Sequence, residues 1–362
     1  MNPGAAAISV APVRELSELG DFIDLPLHLG EEYRRRHVPL LATDIKQWFR
    51  GRGWFPGIDL LLARRGGEVV GRAITHRSAA LDTKLGIRAQ LFGALDATDP
   101  EVVRALLAEV EVRGRLAGCS QVFGPVTPLP NVTGGAVTAG FEHPGFMDTT
   151  WNGPAVPEAL EAAGYQRWGE ADTWEVPQIP EVSAPTAAEW GRARLRYPGR
   201  FGLAKRLLPA LNASFEQLPY FTPITAAQMK SQTSGLELLM DPKLIPLVEI
   251  EGELACFALV IPDPVGILRR RGGRLGLPEL LRLLRHRPKD AVLIIQGTLP
   301  EYQGQGLLSL LTRQLYANLR AGGYRQLRVT FIGRDNPASA RVFEKAGGHR
   351  LHAISFYRRE LS

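Results

Sequence analysis

Between Pro300 and Thr312 the chain reads Pro-Glu-Tyr-Gln-Gly-Gln-Gly-Leu-Leu-Ser-Leu-Leu-Thr. These residue types can hold an anion. Gly304 and Gly306 lack Cβ atoms, so the backbone can turn sharply there and bring its N–H groups close to a phosphate. The run from Leu307 to Thr312 opens an apolar-faced helix whose positive dipole end points back at the turn. The segment before it, Val-Leu-Ile-Ile-Gln-Gly-Thr-Leu-Pro from Val292, reads as a strand. Strand, glycine turn and helix N-terminus together form the arrangement that a nucleotide-like diphosphate requires. The same residues also suit a plain strand-to-helix turn, and the segment alone does not separate the two readings.

Other residues offer chemistry with weaker signals. Gln296 is polar within an apolar strand, so it faces something polar; it can orient water or a carbonyl but cannot act as a base. Tyr357, in the final strand, and Tyr302, in the turn, each carry a proton to give. The commoner role of a strand tyrosine is packing, and Tyr302 reads as part of the turn. Glu249, Glu251 and Glu253 flank a hairpin turn at Gly252, where carboxylates are usually solvated. His349 and His352 titrate near neutrality wherever they are exposed. Asn336, ahead of Pro337 and Ala338, has the form of a helix N-cap.

These residues need a scaffold, and the chain supplies it twice. A proline-rich segment, Glu175–Pro185, forbids helix and interrupts strand ladders, which divides the chain into residues 1–176, a linker 177–185 and residues 186–362. In the first part a hairpin turns at Gly66-Gly67. A strand near Gln90–Leu95 follows, then a helix from Pro100 capped by Asp99, a strand at Gln121–Phe123, a helix at 157–163 and a strand at Asp172–Val176. The second part repeats the order. Its hairpin precedes the strand at Val292, a helix spans Leu307–Arg320, a strand Leu327–Ile332, a helix Ala338–Lys345 and a strand Ile354–Arg359. The expected class is α/β with mixed sheets, built as two units of similar topology.

The halves differ where strand meets helix. The first half has Leu95-Asp96-Ala97-Thr98-Asp99-Pro100, with no glycine and two acidic residues that repel a diphosphate. Only the second half is therefore expected to bind one.

The stretch from Val292 to Leu361 resembles the GNAT acetyltransferase superfamily. Its phosphate loop, (Gln/Arg)-x-x-Gly-x-(Gly/Ala), follows a strand ending x-Pro-Glu-Tyr, and here Leu299-Pro300-Glu301-Tyr302 leads into Gln303-Gly304-Gln305-Gly306. A later Asn, Ala and Tyr-Glu-Lys-x-Gly series is matched by Asn336, Ala338 or Ala340, and Phe343-Glu344-Lys345-Ala346-Gly347. The resemblance implies an acetyl-CoA or longer acyl-CoA donor and no metal. Amides of Gln303, Gly304, Gln305, Gly306, Leu307 and Leu308 would hold the diphosphate. Main chain at Gly297, Thr298 and Leu299 would pair with the pantetheine arm, with Asn336, Ser339 and Phe343 on its other side. The family splays two parallel strands to admit this arm, here Leu293–Leu299 and Leu327–Ile332. The tyrosine that commonly protonates the leaving thiolate is Phe343 here, which has no proton to give; Tyr357 is the substitute of interest, with Gln296 as a second candidate catalytic residue. Over the whole chain, Phe22-Ile23-Asp24-Leu25-Pro26, Val70-Gly71-Arg72, Gly124-Pro125 and Phe356-Tyr357-Arg358-Arg359 resemble a bacterial group of long tandem GNAT proteins that includes ceramide-synthase-like N-acyltransferases. The fold expected from this is a tandem GNAT, its first domain (1–176) degenerate and its second (186–362) cofactor-binding.

Composition fits that expectation. The 362 residues are 45% apolar and 22% charged, with a net charge of +6; this is a folded protein with an excess that favours polyanions. No segment reaches the ~18 apolar residues of a membrane-spanning helix, and the N-terminus lacks a signal-peptide pattern, so a cytoplasmic protein is expected. Cys119 and Cys256 read as buried, inert thiols. A basic insertion, 265–290, carries eight Arg or Lys residues between Arg269 and Lys289 against the single Glu279. Within it Leu280, Leu281 and Leu284 share a helical face, which suits either a docked helix or a lid or peripheral contact at the inner membrane through 269–289. The leading expectation is an N-acyltransferase with a small-molecule or lipid-like amine acceptor and no specific nucleic-acid partner. An aminoacyl-tRNA-dependent transferase and a non-catalytic acyl-CoA-binding protein are the alternatives.

Overall fold

The computed structural model describes residues 6–199, 203–233 and 240–362. The chain opens with β1 (Ile8–Pro12), α1 (Leu16–His28), α2 (Glu31–Arg36) and α3 (Ala42–Phe49). The hairpin β2 (Asp59–Arg65) and β3 (Glu68–His76) precedes α4 (Ala79–Leu85), β4 (Ala89–Ala97), α5 (Pro100–Leu116) and β5 (Gln121–Gly124). Next come β6 (Ala136–Ala139), α6 (Ala155–Ala162), β7 (Gln166–Val176), α7 (Ala187–Trp190) and β8 (Arg194–Arg196). They are followed by α8 (Leu203–Phe215), α9 (Ala226–Thr233), β9 (Leu247–Ile250), β10 (Glu253–Pro262), α10 (Val265–Arg270) and α11 (Leu277–Arg285). The last elements are β11 (Asp290–Thr298), α12 (Leu307–Ala321), β12 (Gln326–Gly333), α13 (Pro337–Glu344) and β13 (His349–Glu360).

Two compact units result, and each is discontinuous in sequence. The first comprises residues up to Ala171 with Val265–Gly276 and His352–Ser362; the second comprises Asp172–Pro264 and Leu277–Leu351. The division read from composition is contiguous, whereas here each unit takes a strand from the far half of the chain. In the first unit the strands run β1-β2-β3-β4-β5-β13, antiparallel except for the parallel pair β4/β5. In the second, β8-β9-β10-β11-β12 is antiparallel except for the parallel pair β11/β12, and β7 lies beyond β12. The strands of each unit are therefore mixed in direction. The segment 177–185 is not a free tether: Ile179 is buried beside Trp174 and Val176, and its N–H donates to Arg325 O at 3.3 Å.

Each unit packs its long helix on its sheet through a leucine- and valine-rich stripe. In the first, Val102, Val103, Leu106, Leu107 and Val110 of α5 meet Leu61, Phe92 and Val122. In the second, Leu307, Leu311, Leu315 and Leu319 of α12 meet Val260, Leu293 and Val329. The spacing of these residues is that of one helical face.

The basic insertion is two elements rather than one. Its first part docks within the first unit. There Arg269 donates to the carbonyls of His37 and Gly145, each at 2.7 Å, and Arg274 forks onto Asp24 at 2.5 and 2.9 Å. Its second part, α11, belongs to the second unit. The Arg34-Arg35-Arg36 run closes α2, where Arg35 and Arg36 pair with Glu31 and Glu32 one turn back. Cys119 and Cys256 are buried free thiols, and burial pushes Cys256 up to about 11.

Candidate functional site

The β11/β12 ladder pairs only Asp290–Leu293 with Gln326–Val329. Both strands continue, to Thr298 and Gly333, without pairing further. A bulge accompanies the parting. Leu259 faces Ile295 and Val260 faces Leu293, so Ile294 is an extra residue on β11 and bends the strand. The Thr330 hydroxyl donates to Ile294 O at 2.8 Å and fastens the last joined position. Before the bulge Ala291, Val292 and Leu293 are buried; after it, Ile295 through Thr298 are half-buried. An opening with a bare strand edge is the result, because a parallel edge without its neighbour leaves backbone groups to seek other partners.

Past this edge the chain forms a short turn at Pro300–Tyr302 and then the glycine loop. The side chains of Gln303 and Gln305 fold back, donating to Thr298 O and Glu301 O at 3.3 Å each, and so leave the loop's outer face to the backbone. Gly304 and Gly306 have φ of 75° and 74°, in the left-handed region, with nothing within 4 Å of where a Cβ would stand. Gly306 serves as N-cap of α12 without any side-chain cap. Among the described residues nothing accepts from the amides of Gly304, Gln305, Gly306, Leu307 or Leu308. A helix N-terminus with free donors attracts a diphosphate through those donors and the macrodipole together.

The corresponding place in the first unit is closed from within. Asp99 caps α5, its carboxylate accepting from the amides of Glu101 and Val102 at 3.0 and 3.1 Å. Arg65 bonds the same carboxylate and, with burial opposing it, lowers Asp99 to about 2. Asp96 accepts from Arg72 at 2.7 Å and from Tyr33. In the first unit a carboxylate of the chain itself already holds the N-terminal amides of the long helix.

The remaining sequence candidates divide between the units. Gln296 lies in the opening, and its Oε1 is buried with no donor among the described residues. Thr298 turns its hydroxyl onto Cys256 Sγ at 3.3 Å, and Leu299 N donates to Ala255 O at 2.9 Å. Asn336 is the N-cap of α13, accepting from Ser339 N at 3.2 Å. Phe343 is 1% exposed in the core against α12 and Trp174. Tyr302 is half-buried against the same core. Tyr357 belongs to the first unit: it is fully buried, pairs with Gly124 across the sheet and donates to Glu161 at 2.9 Å; burial and that carboxylate raise its pKa. Its proton is thus held in a structural bond. Glu249 pairs with Arg196 and Arg206, and Glu251 lies 3.9 Å from Arg192. His349 is 3.8 Å from Glu175, and the His352 ring is buried with Nε2 on His143 O.

One contributor escaped the sequence reading. Helix α8 presents Leu207, Ala210, Leu211 and Ser214 on its buried face, a spacing of i, i+3, i+4 and i+7 that marks an amphipathic helix with one hydroxyl on its apolar side. A Cβ at Gly297 would stand 3.1 Å from Ser214 Cβ and 3.0 Å from Phe257, so glycine there lets α8 approach β11. Ser214 Oγ is buried without a partner among the described residues. Beyond α8 the Tyr220 ring packs on Phe331 of β12, with centroids 6.3 Å apart. The α8–Tyr220 segment therefore touches both parted strands. Burial, with Asp335 adding to it, pushes the Tyr220 phenol up to about 12. On the side of α13 turned from Ser339, a cavity of about 200 Å³ is lined by Asp172, Trp174, Gly333, Arg334, Arg341 and Arg350. Asp172 there accepts from Arg334 at 2.9 Å.

No family model matches the chain. A bacterial ceramide synthase of Caulobacter vibrioides is 26% identical to it over 381 residues, which span 98% of each sequence. A tandem GNAT protein from the clavulanic acid biosynthesis pathway superposes with a TM-score of 0.59 at 16% identity, over 98% of this chain and 99% of that one. A GNAT acetyltransferase from Sphaerobacter thermophilus gives 0.54 at 13% identity, over 98% and 96%. Likeness at such identities is likeness of fold, and over nearly its whole length this chain has the fold of the tandem GNAT acetyltransferases.

Proposed function

We propose that the second unit is an acyl-CoA-dependent N-acyltransferase, moving an acetyl or longer acyl group from the coenzyme A thioester to a primary amine. One observation carries the reading: an uncapped helix N-terminus with free amides directly follows a strand that has parted from its parallel neighbour. Coenzyme A has a diphosphate and an amide-bearing arm. The amides of Gly304–Leu308 suit the first, and the β11 main chain at Gly297–Leu299, unpaired on its β12 side although Leu299 N is given to Ala255 O, suits the second. Asn336 and Ser339 flank the arm in this reading, and Phe343 only supports the floor.

The chemistry balances simply. The amine lone pair attacks the thioester carbonyl, a C–N bond forms, the C–S bond breaks, the ammonium proton passes to water, and the thiolate takes up a proton. Most of the rate comes from holding amine and thioester together in the opening. Gln296 Oε1 offers an acceptor for an amine or arm N–H. The Tyr220 ring packs on Phe331 of β12, beside the parting, so its phenol is our candidate for the thiolate's proton, with Tyr357 lying in the first unit.

The name of the Caulobacter relative supports a lipid-like acceptor, since a ceramide is an N-acylated long-chain amino alcohol. The test is to incubate the purified protein with acetyl-CoA or palmitoyl-CoA and a panel of short and long-chain amines, and to identify amide products by mass spectrometry. A long-chain amide is expected. Absence of any amide product together with absence of coenzyme A binding by calorimetry overturns the proposal.

A further inference from the structure

Seven large apolar side chains among the described residues are exposed, and three of them, Leu277, Leu281 and Leu284, lie on the nine-residue helix α11. They recur at i, i+4 and i+7 and share one face. The helix rests on the second unit through Leu283, which is fully buried, and through half-buried Leu280. On a helical wheel the five leucines fill an arc of about 160°, and the protein covers only one side of it. Arg285 and Arg282 follow the open side of the arc. Neither has a carboxylate partner among the described residues. His286, Arg287 and Lys289 continue the basic run, Arg287 lying 3.9 Å from Asp241.

A helix needed only for packing would expose its charged side and bury its leucines. This one keeps a leucine stripe in water beside unpaired guanidinium groups. We propose that α11 is a docking element for an anionic lipid surface, on which Leu277, Leu281 and Leu284 enter the acyl boundary while Arg282 and Arg285 meet headgroup phosphates. Charge decides the occupant. Apolar insertion beside cations suits a surface that is greasy beneath and negative on top, whereas a second copy of the chain would set its own arginines against these. The inference does not depend on the acyl-transfer reading.

The test uses the full-length protein and sedimentation with vesicles of phosphatidylcholine alone or with about a third phosphatidylglycerol. Binding to the anionic vesicles is expected, at least tenfold stronger than to the neutral ones and weakened by salt. The double variant Leu281→Asp, Leu284→Asp should lose at least tenfold in that partition with an unchanged melting temperature, since both positions are exposed. Arg282→Glu with Arg285→Glu should remove the preference for the anionic lipid. A second measurement protects against a misfolded variant. Both native thiols are buried, so Leu281→Cys can be labelled with a polarity-sensitive dye, whose emission should shift to the blue on anionic vesicles. Equal sedimentation by the leucine variant, or an unshifted dye in protein that binds vesicles, overturns the proposal. So does a wild-type dimer that the leucine variant turns into monomer, because the face would then be an interface between copies.

Discussion

Gly304 and Gly306 hold left-handed backbone with empty space around them, so conformation and not crowding favours glycine there. Gly304→Val is expected to add about 1–2 kcal/mol of strain to the free protein and to weaken coenzyme A at least tenfold in calorimetry; unchanged affinity removes the loop assignment. The first unit carries a different sensitivity. His76 is buried, its Nδ1 has no partner among the described residues, and Nε2 lies 2.5 Å from Pro128 O. Burial depresses it to about 4 from 6.5. The unfolded chain gains a proton at this residue as pH falls through 6.5, and the folded chain gains it only near 4. Stability is therefore full above 6.5 and declines across that window, by a few kcal/mol in order of magnitude. His76→Gln, which keeps a donor for Pro128, should flatten the decline in urea titrations between pH 7 and 4. An equal slope in the variant shows that other groups set it.

At the scale of elements, α5 and α12 are the same helix in two settings, one capped by Asp99 and the other open. Asp99→Ala is expected to cost about 1 kcal/mol through the cap, together with the Arg65 pair. Because the Asp99 carboxylate is held low, its contribution persists above pH 3.8 and fades as pH falls toward 2, so the two proteins should converge in stability at the acid end. A constant gap down to pH 2 would contradict this. What the sequence disclosed at this scale was local. Gly66-Gly67, Asp99-Pro100, Gln303–Leu308 and Asn336-Pro337 each determine their turn or cap through residues a few positions apart, and the structure has all four. Ser214 and Tyr220 stayed hidden because their significance lies in contacts with Gly297 and Phe331 more than eighty residues away. For Tyr357 the local pattern of a strand tyrosine was readable, but Glu161, which holds its proton, was not. The insertion misled in a similar way, since composition runs smoothly across Gly276 while the fold assigns its two sides to different units.

At the scale of the whole molecule, β13 from His352 completes the first unit's sheet, and β7 from Asp172 joins the second's. Separate expression of the stretches before and after the 177–185 segment is expected to give two poorly soluble products, each missing its last strand, and co-expression should recover a soluble, co-purifying pair. Two independently soluble, cooperatively melting fragments would refute the exchange. The exchange also imposes an order on biosynthesis. A nascent chain emerges from the ribosome in sequence order, and domains ordinarily fold as they appear. This first unit cannot do so, because its edge beside β5 stays unsatisfied until every residue of the second unit has been translated. During that interval the strand edge beside β5 is unpaired, and chaperone demand should peak late in synthesis rather than early.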